Sequence, residues 1–170
     1  MIRIDLPYPP SANHYKLTRV YYDKATRQHK VMWYLSDEAK AFKSEVGWLA
    51  KAAGLRTPFA GFVRVRMYLT PQCPKDVTDL VRKSPAGWAL KVRSHDVGNV
   101  EKVVSDALNG IAWLDDRQVD DLRVIRTEPG KRGLMVEIEE FVPDWVKQPT
   151  LFPERSGTPC TQDGFGVLAG

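Results

Sequence analysis

Hydrophobic and polar positions change their period several times along the chain. Ile2, Ile4 and Leu6 alternate with Arg3 and Asp5, a period of two that predicts a strand, and Pro7, Pro9 and Pro10 stop it. Residues 17–23 and 28–35 are rich in β-branched and aromatic side chains and flank "KATR" at 24–27, so a hairpin is expected. Ser36 is placed as an N-cap. From Asp37 to Ala53 the residues Ala39, Phe42, Val46, Leu49, Ala50 and Ala53 recur at helical spacing, and Gly54 ends the run. Strict alternation returns at 62–69, where Val63, Val65, Met67 and Leu69 oppose Phe62, Arg64, Arg66 and Tyr68; a central strand is predicted.

A second helix is expected after Asp96, whose carboxylate suits an N-cap. At roughly 100° per residue, Val100, Val103, Val104, Ala107 and Ile111 share one face, with Leu108 on its edge. Asn99, Lys102 and Asp106 fall within roughly 60° of one another on another side. Asn109-Gly110 stops this helix, Trp113 and Leu114 are expected to return to the core, and Asp115 and Asp116 occupy the turn before the next strand. Strands are then predicted at 118–128 and 133–141, joined by "PGKR". Residues 71–95, with Pro71, Pro74 and Pro85, read as one long irregular segment. Residues from 142 onward, rich in Pro, Gly, Thr and Ser, read as a poorly structured tail. This order predicts a single α+β domain over residues 1–141, with a mixed sheet and two main helices.

Composition narrows the function classes without choosing one. Hydrophobic residues at 43% and charged residues at 27% are ordinary for a globular chain. No apolar run is long enough to span a membrane, and the first residues do not resemble a signal peptide. Cys73 and Cys160 form no CxxC and no cluster with histidine, so neither a zinc site nor a disulfide framework is expected, and a cytoplasmic location is the default. The net charge is +4; without residues 142–170 there remain 23 basic and 18 acidic residues, or +5. That excess permits a polyanionic partner without requiring one.

Candidate chemistry gathers around the second helix. Asp96 at its start and Asp115 and Asp116 past its end can approach one another, with Lys102 directed at the same region. Carboxylates converging with a lysine suit Mg²⁺, with Mn²⁺ able to substitute, and phosphate chemistry. A plain cap and a plain polar turn would use the same residues. The segment 71–95 carries Lys75, Arg82, Lys83, Lys91 and Arg93, which with Asn99 are the candidate DNA contacts; a solvated insertion is the competing reading. Arg64 and Arg66 share a strand face and could extend a phosphate track. Tyr21, Tyr22, Trp33 and Tyr34 suit a core, a subunit interface or base stacking. His14, His29 and His95 show no metal spacing.

Three blocks resemble the RusA family of Holliday junction resolvases: "LPYPPSANHYKLTR" (6–19), "HDVGNVEKVVSDAL" (95–108) and "WLDDRQVDDLRV" (113–124). The resemblance covers residues 1–141. It implies a metal-dependent endodeoxyribonuclease, usually using Mg²⁺, that acts as an intertwined homodimer on four-way or other branched DNA in recombination and repair. Carried over by position, it implies catalytic roles for Asp96, Asp116 and Lys102, with Asp96 and Asp116 as metal ligands and Asp115 supporting. Asn13 and Tyr15, in the first block, are expected near the site or a subunit contact. One family aspartate is replaced here by Gly98. Three readings follow: a substitute carboxylate (Asp106, Asp76 or Asp79) completes the site; one ion is held weakly; or the protein binds branched DNA without turnover. A less selective flap or fork nuclease is a further alternative. Glu101, about 100° from Lys102 on the helix, is set aside as a substitute.

Overall fold

In the computed structural model, residues 1–147 are described. The elements, in chain order, are β1 (Ile2–Leu6), the one-turn helix α1 (Ala12–Tyr15), β2 (Lys16–Asp23), β3 (Gln28–Leu35), α2 (Asp37–Ala52), β4 (Val63–Thr70), α3 (Val77–Lys83), α4 (Val97–Leu108), β5 (Val119–Arg126), β6 (Gly133–Glu140) and α5 (Asp144–Lys147). Four strands form one sheet in the order β1-β6-β4-β5, while β2 and β3 pair only with each other. The fold is α+β, and the sheet is mixed: β4 runs parallel to β5 and antiparallel to β6.

Period-two patterning explains why this sheet has one covered face. Ile4 pairs with Val136, Val136 with Met67, and Met67 with Val124, so one apolar row crosses all four strands. One step along, Arg3, Glu137, Arg66 and Arg123 form a charged row on the opposite face. On that face Arg64 donates to Asp121 and to Glu139, both at 2.8 Å, and stacks over Phe141. Arg64 is therefore committed to neighbouring acids and does not extend a phosphate track.

Helices α2 and α4 supply the apolar stripes that complete the core. Ala39, Phe42, Val46 and Ala50 of α2 are buried, as are Val100, Val103, Val104, Ala107 and Leu108 of α4. Each large aliphatic side chain taken fully from water contributes roughly 1.5–3 kcal/mol. Ser36 Oγ accepts from Ala39 N, confirming the expected cap, and Gly54 leaves α2 with φ +94. Gly110, at φ +78, turns the chain out of α4. Because β4 and β5 are parallel, the chain must return across the sheet between them, and α4 lies on that return path.

Several expectations change. Strands β5 and β6 do not pair with each other, because β4 lies between them. Trp113 is fully buried, but Leu114 is 66% exposed, since the turn after Trp113 sends the next side chain outward. Residues 71–95 are not structureless: they contain α3 and a 3-10 turn at Trp88–Lys91, with only Pro71 and Val92 buried. The β2–β3 hairpin is no part of the core. Val20, Val31 and Trp33 are 62%, 57% and 69% exposed. At the start of the expected tail, α5 sets Trp145 edge-on against Phe62; the remainder, residues 148–170, lies outside the described residues. Among the described residues no helix is long and apolar enough to cross a membrane.

Candidate active site

Helix α4 buries its valines, so its opposite stripe is left facing out. Gly98, Glu101, Lys102, Ser105 and Asp106 recur at three- and four-residue spacing and line one wall of a cleft of about 420 Å³. The other wall is Asp116, Val119 and Leu122, from the turn before β5 and from β5 itself. Two segments thus bring Lys102, Asp106 and Asp116 to one cleft, without Asp96 or Asp115, which were expected to converge there. Glu101 stands on the same wall, contrary to its dismissal by angle alone. The cleft faces the middle of the 98–101–102–105 stripe, so both Glu101 and Lys102 reach it.

Three acids of the cleft are each held by a neighbouring group. Trp113 Nε1 donates to Asp116 Oδ1 at 3.2 Å, anchoring the carboxylate to a buried indole. Ser105 Oγ donates to Glu101 Oε1 at 3.2 Å. Asp106 meets Lys16 at 3.6 Å, an ion pair half open to solvent. Asp106 also helps raise the pKa of Tyr15, whose phenol is pushed up first by burial and then by that charge. Tyr15 therefore packs between core and cleft end. Asp96 caps α4, its Oδ1 accepting from Gly98 N at 3.3 Å, and, contrary to expectation, it does not line the cleft: the cap bond turns its carboxylate back onto the helix start. At Gly98 an added Cβ would meet nothing within 4 Å, so the backbone there is open.

The two aspartates of "WLDD" divide their work. Asp115 caps the 3-10 turn Asp116–Gln118 by accepting from Arg117 N at 2.9 Å, and it does not line the cleft. Gln118, which sequence reading passed over, ties this turn down. Its Oε1 accepts from Leu114 N and Asp115 N at 2.7 and 3.0 Å, while its Nε2 donates to Phe59 O and Gly61 O at 2.8 and 2.9 Å. A glutamine three residues past an acidic cap is the sequence signal for such a reciprocal cap.

The other candidates lie elsewhere. Asp76 and Asp79 belong to the α3 region, where Asp79 binds Arg82 at 2.9 Å. Neither lines the cleft, and nor does Asn99. Lys75, Lys83, Lys91 and Arg93 are exposed. Arg93 borders a separate pocket with Tyr8, Gln72, Ser94, His95 and Arg132. His95 is held below the ordinary histidine pKa by burial and then by Arg132, with Glu38 acting in the opposite sense. Among the described residues no three His, Cys, Asp or Glu side chains stand close enough to hold a metal ion unaided. Oxygen donors are the only ligating kind lining the cleft, which is the chemistry of a hard divalent cation that keeps waters and takes further oxygens from a bound phosphate.

The family model described as Endodeoxyribonuclease RusA matches residues 7–139. The chain is 31% identical over 131 residues to the crossover junction endodeoxyribonuclease RusA of Escherichia coli (strain K12), covering 76% of this chain and 86% of that relative. The protein of the same name from Shigella sonnei (strain Ss046) is also 31% identical with the same coverage, and that of Enterobacteria phage 82 is 30% identical.

Proposed function

The chain belongs to the RusA family of endodeoxyribonucleases, and from that premise we propose that it resolves four-way DNA junctions by metal-assisted phosphodiester hydrolysis at the α4 cleft. The observation that carries the reading is the cleft itself: Lys102 and Asp116 line the two walls of one opening, and Gly98 on the Lys102 wall adds no side chain to it. Asp116 and Glu101 are the residues that would hold Mg²⁺ there, with water and phosphate oxygens supplying the remaining ligands; Asp96 caps the helix outside the cleft lining and Asp106 is paired with Lys16. Glu101 then supplies the carboxylate that Gly98 lacks. When bound, the ion would neutralise phosphate charge and lower the pKa of water.

The chain's own groups do the rest. Lys102 offsets the negative charge that builds on the phosphate oxygens as the bond to the leaving oxygen breaks. The indole of Trp113 fixes Asp116 through one oxygen, leaving the second without a partner among the described residues. Ser105 restrains Glu101 in the same way. Gly98 leaves space for a sugar–phosphate backbone to approach the start of α4.

Paired cuts in a two-fold junction call for two sites, and hence for a homodimer. The β2–β3 hairpin supports this assembly: a lone two-stranded hairpin is marginal in water, and this one exposes Val20, Val31, Met32 and Trp33. A reading without turnover is favoured by one feature, the glycine at position 98.

A panel of four-way junction, fork, flap and duplex substrates, each with and without Mg²⁺, tests these readings. Paired nicks confined to the junction and requiring Mg²⁺ are expected. Junction binding with no nicks would support the binding-only reading, and equal cutting of forks and flaps would replace the proposed specificity.

A further inference from the structure

Around Tyr8 and His95, outside the acidic cleft, the geometry points to a second site: we propose that Arg132, stacked on Tyr8 and flanked by Arg93, holds a backbone phosphate a few nucleotides along the DNA strand that enters the α4 cleft. This deepens the function proposed above and rests on it.

The site is built around one ring. Tyr8 OH accepts from His95 N at 3.0 Å and lies 3.4 Å from Ser94 Oγ, which locks the phenol in place. The imidazole of His95 meets that ring edge-on at 4.8 Å. Arg132 covers it, with the guanidinium carbon 3.9 Å from the ring centroid. A guanidinium stacked on an aromatic face keeps its in-plane N–H donors free for a planar or tetrahedral anion. Tyr8, His95 and Arg132 line two adjoining hollows of about 260 and 390 Å³, the first with Gln72, Arg93 and Ser94, the second with Ser11, His14 and Glu38.

Among the described residues, neither arginine of this cluster is committed to a nearby acid. Arg64, Arg82 and Arg123 each meet a carboxylate within 4.0 Å, whereas among the described residues neither Arg93 nor Arg132 does. Glu38 is the one acid lining these hollows, so with Arg93 and Arg132 they are net positive. Position completes the case. His95 lines the basic hollows and Gly98 lines the acidic cleft, and three residues of chain span at most about 10 Å. At about 3.4 Å of rise per nucleotide along one strand, that length of chain matches about three nucleotides.

The test measures junction binding without Mg²⁺ for wild type, Arg132→Ala and Arg132→Lys, across a range of NaCl. It uses junctions in which single phosphates through the crossover are replaced by neutral methylphosphonates. Loss of one phosphate contact should lower the slope of log affinity against log salt by about one in Arg132→Ala, while Arg132→Lys keeps it. One methylphosphonate position should reproduce that loss in wild type and add nothing in Arg132→Ala. Matching thermal midpoints show that the variants fold. An unchanged salt slope, or neutral phosphates that weaken wild type and Arg132→Ala alike at every position, would overturn the site. A wild type that binds junctions without nicking them leaves this test intact while removing the catalytic reading; one that binds no junction overturns both.

Discussion

The two clefts on either side of residues 95–98 carry opposite charge. One presents Glu101, Asp106 and Asp116 around Lys102; the other presents Arg93 and Arg132 around Tyr8. Acids that suit a divalent cation repel a polyanion until that cation is present, and stacked guanidinium groups attract it at once. Separating the two by one helix start lets a nucleic acid be held by one side and acted on at the other. Substitutions in the acidic cleft should therefore change rate, and those in the basic cleft affinity and its salt dependence.

The largest effect is expected at Asp116. Asp116→Asn keeps an oxygen that can accept from Trp113 Nε1 but removes the negative charge. Its nicking rate should fall by about 100- to 1000-fold, the equivalent of several kcal/mol of lost transition-state stabilisation. Junction binding should persist, and undiminished single-turnover nicking would remove the proposed role.

Next comes Glu101→Gln, which should slow nicking by about 10- to 100-fold and weaken the thermal stabilisation given by Mg²⁺. Gly98 has room for a side chain, so Gly98→Asp in the Glu101→Gln background should restore much of both. If the double variant stays as slow as Glu101→Gln, Glu101 is not standing in for a missing carboxylate.

A smaller effect is expected where the acidic wall is braced. Gln118→Ala strands two carbonyls and two amides around the Asp116 turn and should lower unfolding free energy by about 1–3 kcal/mol by chemical denaturation. An unchanged denaturation midpoint would show that the turn holds itself.

The smallest belongs to neither cleft. Asp121 sits below the usual carboxylate range because Arg123, and then Arg64, donate to it. A carboxylate lowered on folding stabilises above its unfolded pKa of about 3.9, and that contribution is lost as pH falls through the folded value. Thermal midpoints measured down the acid limb should drop less steeply in Asp121→Asn than in wild type; parallel curves would show that the pairing is cancelled by solvent.

Much of the scaffold was legible along the chain. The alternation at 62–69 is the buried–exposed alternation of β4, and the valines after Asp96 are the buried stripe of α4. Lys102, Asp106 and Asp116 line one cleft, whereas Asp96 and Asp115, expected beside them, are taken up as caps. Glu101 lines the cleft although its angle from Lys102 argued against it, because Asp116, Val119 and Leu122 decide where the cleft lies. The commitment of Arg64 to Asp121 and Glu139 was hidden because its partners lie 57 and 75 residues away.

By itself the chain determined which side chains seek the interior and which turns end each helix, because apolar burial and backbone capping are set by residues a few positions apart. Only the tertiary structure decided that Asp115 caps while Asp116 faces the cleft, and that Tyr8, His95 and Arg132 meet in one basic hollow. Those outcomes depend on strand pairing and on the return of the chain across the sheet. Such contacts join residues far apart in sequence, and no local periodicity records them.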